Sequence, residues 1–163
     1  VEDGFNEWLT GTYTDADEAE TSAWALACRR AVAMGDTEGF VNSLKSFFSS
    51  IGYDLADRLT EQAYQCVAVA ILRFIGMYVS AEVTTSTGRI DMVMHAPGHV
   101  FVVEVKVASG EAADENAARR ALIQIRERGY AEPWRAGTDE VTLLGLTFDC
   151  LTHNVGAWIA ERL

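Results

Sequence analysis

The sequence predicts a mixed α/β fold, a central mixed sheet flanked by helices, and three observations carry that expectation. Apolar residues recur at helical spacing from about Asp17 to Ile75; three β-branched, alternating runs follow between Met77 and Val107; and another helical pattern separates these from an apolar run at Val141 to Asp149. The 163 residues fit one domain with a short appendage, long enough to bury a core. With 49% hydrophobic and 23% charged residues and only 2 Pro, the composition excludes disorder and linker-type low complexity.

Taken in order, a first helix is expected from about Asp17 to Met34, stopped by Gly35, and Asp36 or Thr37 caps a second that carries Phe40, Leu44, Phe47, Phe48 and Ile51. A third runs from Asp57 to Ile75 through Leu59, Ala63, Cys66, Val67, Ala70, Ile71 and Phe74, and Gly76 ends it. Strands follow at about Met77 to Thr84, Arg89 to Ala96 and Val100 to Val107, separated by STG and APGH. A helix from about Ala113 to Arg128 closes at Gly129, then come a strand at Val141 to Asp149 and a further one at Val155 to Ala160. This divides the chain into an acidic helical extension, residues 1–56, packed on a core domain of residues 57–163.

The formal net charge of −11 argues against coating nucleic acid through bulk electrostatics, which needs Lys and Arg. The excess is uneven, however: residues 1–40 hold nine acidic and two basic side chains, a net of −7, while the remaining 123 hold fifteen acidic and eleven basic, a net of −4. Cys28, Cys66 and Cys150 are odd in number and set in apolar surroundings, which suits reduced, buried thiols better than a disulfide scaffold or a zinc site. The most apolar stretch, Cys66 to Ile75, is interrupted by Arg73, and no signal-peptide pattern stands at the start; the expectation is a cytoplasmic protein with no membrane partner. The opening on Val1 within an acidic stretch reads as a portion of a longer polypeptide.

The chemistry is expected in GRIDMVMHAPGHVFVVEVKV, Gly88 to Val107. With Pro97 and Gly98 at the centre of a hairpin turn, symmetric pairing sets Val93 against Val102 and Asp91 against Glu104. Alternation then turns Glu104 and Lys106 to one face, shared by Asp91. Opposed carboxylates oppose strand pairing by a few tenths to about 1 kcal/mol, so the arrangement calls for a cation. Hard oxygen donors suit Mg²⁺, with Mn²⁺ as a substitute, and a lysine beside them serves an attacking water or a phosphate. An ordinary ion pair of Lys106 with Asp91 or Glu104 at the sheet margin is the competing reading.

With those residues in view, the chain resembles the PD-(D/E)XK nuclease superfamily, and most closely the branch found as the C-terminal domain of bacterial AAA-ATPase-like proteins. The motifs are EQAY at Glu61 to Tyr64, GRID at Gly88 to Asp91, EVK at Glu104 to Lys106 and QIRERGYAEPW at Gln124 to Trp134. Ile90 stands where the superfamily's name puts Pro. The resemblance implies a restriction-endonuclease-like core, with Asp91 and Glu104 as Mg²⁺ ligands, Glu61 approaching from its helix, Lys106 serving the water and Gln124 supporting the lysine. It also implies two partners: nucleic acid, DNA ahead of RNA, and an N-terminal ATPase-like region of the same polypeptide.

Arg119, Arg120, Arg126, Arg128 and Arg135 face only Glu127 and Glu132 between positions 116 and 135, with Tyr130 and Trp134 available for stacking. With Arg89 these form the expected nucleic-acid track, against the alternative of a solvated helix face with the aromatics closing the core. The function that follows is a Mg²⁺-dependent nuclease module. The alternative is a catalytically idle nuclease-fold domain that regulates or binds within the larger ATPase. No P-loop, G-x-G-x-x-G or G-x-S-x-G supports a small-molecule enzyme.

Overall fold

A computed structural model of the chain describes residues 18–50, 70, 73, 78–86 and 88–163. Helices α1 (Glu18–Ala33) and α2 (Thr37–Ser49) precede strands β1 (Tyr78–Thr85), β2 (Gly88–Ala96) and β3 (His99–Ala108); α3 (Glu115–Glu127), α4 (Glu132–Arg135), β4 (Glu140–Asp149) and β5 (Asn154–Arg162) follow. Of the helix expected over 57–75, Ala70 and Arg73 are described and both are helical; the rest of it, with Glu61 and Cys66, lies outside the described residues.

The strands form one mixed sheet in the order β1-β2-β3-β4-β5, in which only β3 and β4 run parallel. The Pro97–Gly98 turn behaves as its chemistry dictates: Pro fixes the first corner position, Gly98 takes the second at φ 79°, and Ala96 meets His99 across the turn. Every residue of β4 from Val141 to Asp149 is buried, as expected for a near-continuous apolar run in a parallel pair covered on both sides.

Two apolar layers make that cover. On one face Phe40, Leu44, Phe47 and Phe48 of α2 pack with Met94, Phe101, Val103, Leu144 and Phe148, and α1 adds Cys28 and Val32. On the other, Leu122 and Ile125 of α3 pack with Ile90, Val93, Val102 and Leu143. Burial pushes the Cys28 thiol up to about 12, so it remains an inert part of the core.

Local capping chemistry sets the helix starts. Asp36 accepts from the Gly39 amide at 2.9 Å and Asp114 from the Ala117 amide at 2.9 Å, which explains why α3 starts at Glu115 rather than near Ala113. The short 3₁₀ turn Gly110–Ala112 and helix α4 were not expected from periodicity, because each is too short to show one. Strand β5 is longer than the expected 155–160 and crosses a bulge opposite Leu146 and Phe148. Among the described residues no helix is long and apolar enough to cross a membrane.

Candidate active site

The helix, the hairpin and the central strand converge at Glu104. Its neighbour on β4 is Gly145, and a side chain there would meet the Ala118 carbonyl at 2.2 Å and the Leu122 amide at 2.8 Å. The missing side chain lets the backbone of α3 lie directly on the sheet, which lowers Gln124 onto the face that carries Glu104 and Lys106. Periodicity passes over Gly145; a lone glycine inside an apolar strand was the available signal.

Three polar side chains form a closed set there. The Lys106 ammonium donates to Glu104 Oε1 at 3.1 Å and to Gln124 Oε1 at 2.6 Å, and Gln124 Nε2 donates to the same Glu104 oxygen. Glu104 is 3% exposed, whereas the Lys106 side chain is 34% exposed and reaches solvent. Glu104 Oε2 is buried with no hydrogen-bond partner among the described residues. Burial is the main reason the Glu104 carboxyl is held above the ordinary glutamate value, and the Asp91 carboxylate adds to it; the bond and charge of Lys106 act the other way without cancelling them.

Asp91 arrives by a break in the sheet. The hairpin register runs as expected through Val93↔Val102 and Met92↔Val103 and then stops one pair short of Asp91 and Glu104. On the other side, β1 and β2 pair at Ala81↔Met92 and Val83↔Ile90 but not at Glu82 and Asp91 between them, where Glu82 takes φ 50°. The alternation of faces slips here as well: Ile90 joins the layer under α3 and Met92 the opposite one. Released from the ladder, the Asp91 carboxylate accepts the Val105 amide at 2.8 Å, one residue from Glu104.

Two carboxylates and one ammonium leave an excess of one negative charge, with an unsatisfied buried oxygen at its centre. That donor set fits a hard divalent cation such as Mg²⁺. Among the described residues no third Asp, Glu, His or Cys completes a metal cluster with them. Glu61, the expected helical ligand, lies outside the described residues.

The cationic track is altered by its tertiary surroundings. Arg119 bonds Glu115 at 2.7 Å, Arg135 bonds Glu132 at 2.8 Å, Arg126 pairs with Glu161 of β5, and Arg89 lies 3.4 Å from Glu82. Glu115 and Glu161 stand outside the stretch counted along the sequence, so the local excess of positive charge shrinks. Arg120 and Arg128 are exposed on and just beyond α3. Tyr130 needs correction as a stacking residue: it is 3% exposed, its ring packs against Gly88 within the layer under α3, and no base can reach its face. Trp134 is only partly buried.

Comparison with known proteins agrees with this fold. A family model described as the PD-(D/E)XK nuclease superfamily matches residues 59–158. A protein of Azotobacter chroococcum mcd 1, described as an uncharacterized protein in the vnfD 5′ region, is 32% identical over 132 residues, covering 78% of this chain. The chain spans about a quarter, 25%, of the length of that relative.

Proposed function

The chain belongs to the PD-(D/E)XK nuclease superfamily, and from that premise we propose that it is a nuclease module hydrolysing nucleic-acid phosphodiester bonds with a divalent cation, Mg²⁺ or in its place Mn²⁺. The observation that carries this reading is the Glu104 carboxylate, buried in an apolar strand with one oxygen unpartnered among the described residues and its pKa raised. A buried charge kept in that state is costly unless a cation meets it.

Asp91 and Glu104 hold the cation in this proposal, and Glu61 joins them from the helix expected over residues 57–75. When bound, the cation supplies positive charge for the scissile phosphate and lowers the pKa of water at the site. Lys106 has three N–H donors, two of which serve Glu104 and Gln124, leaving the third for the attacking water or a phosphate oxygen. The water oxygen bonds to phosphorus as the bond to one sugar oxygen breaks; the water's proton passes to solvent and the leaving oxygen gains one. Gln124 fixes the lysine, since its carbonyl oxygen takes the ammonium while its amide nitrogen holds Glu104. Arg89, Arg120 and Arg128 are the arginines proposed to meet the backbone; the exposed Arg89–Glu82 pair is of the weak kind that exchanges readily for a phosphate.

The domain division belongs to the same reading. Residues 57–163 form the nuclease-like unit, supported by a family match that begins at residue 59, and residues 1–56 form the extension, supported by the packing of α1 and α2 on the sheet. The placement of this unit after an ATPase-like region in a cytoplasmic protein, with that region as its partner, is also proposed. A second reading, an idle nuclease fold serving regulation or interaction, is favoured by one observation: Lys106 is engaged by both Glu104 and Gln124.

The test is to incubate labelled single- and double-stranded DNA and RNA with the protein in Mg²⁺, Mn²⁺ or EDTA. Metal-dependent cleavage that Asp91→Asn and Lys106→Met abolish supports the nuclease; cleavage that persists in both variants removes the assigned roles. Calorimetry separates the second reading, which requires that neither ion binds the folded protein.

A further inference from the structure

The chain that leaves α3 folds back across the sheet. Tyr130 seats its ring in the core, and α4 then carries Pro133 and Trp134 past the outer strands. Between this segment and the end of β1 lies an open cavity of about 590 Å³, lined by Val83 and Ser86 on one side and Arg128, Pro133 and Trp134 on the other. Small-molecule sites run from roughly 300 to 1,000 Å³. Glu132 lines the cavity as well, but its carboxylate is held by Arg135 at 2.8 Å.

Two registers place one end of this cavity toward the acid pair. Val83 faces Ile90 across the β1–β2 ladder, one residue before Asp91. Arg128 stands one helical turn beyond Gln124, which holds Lys106 at 2.6 Å. The Trp134 ring is braced by a neighbour: its centroid lies 5.9 Å from that of His95 in an edge contact, and His95 makes a similar contact with Tyr78 at 5.3 Å.

A braced indole at the lip of a mostly apolar cavity, with arginine at its rim and a phosphodiester site adjoining, fits the flat face of a nucleobase. A base stacked within a duplex cannot present that face, so the occupant has to be unpaired. We propose that this cavity receives an unpaired nucleobase next to the scissile phosphodiester, stacked on Trp134, so that the substrate is single-stranded or locally unpaired at the cut. The inference rests on the nuclease reading above and is tested separately from it.

Binding of a labelled oligothymidylate and of a blunt duplex is measured by fluorescence anisotropy in EDTA, for the wild type, Trp134→Ala, Trp134→Phe and Ser86→Leu. Trp134→Ala weakens single-strand binding roughly 5- to 150-fold, the range for losing one stacked base, and leaves duplex binding unchanged. Trp134→Phe recovers most of the loss. Ser86→Leu fills the cavity mouth from an exposed turn, away from the core, and reproduces the loss in a folded protein. Equal losses on both ligands, no single-strand binding by the wild type, or unchanged binding by folded Ser86→Leu each overturn the proposal. Trp134-dependent binding without metal-dependent cleavage removes the nuclease and keeps the pocket. Cleavage that needs Asp91 but ignores Ser86→Leu and Trp134→Ala does the reverse.

Discussion

Two carboxylates are buried in the central parallel pair of strands, and the protein treats them in opposite ways. Asp149, at the end of β4, accepts from the Gly110 amide at 2.7 Å, the Leu151 amide at 2.9 Å and the Thr152 hydroxyl at 3.0 Å. Burial pushes its pKa up, but the donors at Leu151, Gly110 and Thr152 together outweigh that and hold it below the ordinary aspartate value. Glu104, one strand away, has a single satisfied oxygen and a neighbouring carboxylate, and its pKa is raised. A buried acid with its donors complete ties the chain together; one left incomplete retains capacity for a ligand.

The contrast breaks most visibly at Glu104 itself. Glu104→Gln is expected to cut metal-dependent cleavage by at least about 10²–10³-fold in a folded protein, measured with the labelled substrates above. Residual cleavage near wild type would place the working acid elsewhere. The mirror substitution, Asp149→Ala, leaves the part-buried Gly110 and Leu151 amides without their acceptor and is expected to cost about 3 kcal/mol, a fall of roughly 6–12 °C in Tm for a chain of this size. Cleavage per folded molecule should stay unchanged, and a selective loss of activity would blur the distinction. Gln124→Ala sharpens it more gently: without a second anchor for Lys106, activity or metal affinity is expected to fall roughly 10–100-fold, read from cleavage rates and calorimetry.

The smallest effect is the pH dependence, where the two acids carry opposite signs. The lowered pKa of Asp149 means a stability contribution that is present above the unfolded-state value and is lost as pH falls through the folded one. The raised pKa of Glu104 means the reverse: its contribution is complete below the unfolded-state value, near about 4.3, and is lost as pH rises through the folded one. Without metal, Glu104→Gln should therefore gain on the wild type in thermal melts as pH rises. Added Mg²⁺ should reverse the order by stabilising only the wild type.

Much of this was legible in one dimension. The Pro97–Gly98 turn fixes a two-residue hairpin, and strict alternation then carries Glu104 and Lys106 to one side of β3, as both the turn and the ladder bear out. The slip at Asp91 was not legible, because GRID and YVSAEVTT alternate well enough to read as unbroken strands; the interruption needs two strands and a left-handed Glu82 to exist at all. The charge of the α3 surface was misjudged for the same reason. Glu161 lies 35 positions from Arg126 along the chain, yet the packing of β5 beside α3 pairs them.

By itself, the sequence determined the longer elements, the hairpin register next to the turn and the motif set, since these follow from local periodicity, turn chemistry and neighbours a few residues apart. Tertiary structure decided which acid is left short of donors, which aromatic ring is sealed in and which stands at a cavity, and which arginines meet a carboxylate. Desolvation and pairing depend on what comes to lie within a few ångströms, and that proximity is created only when distant segments pack.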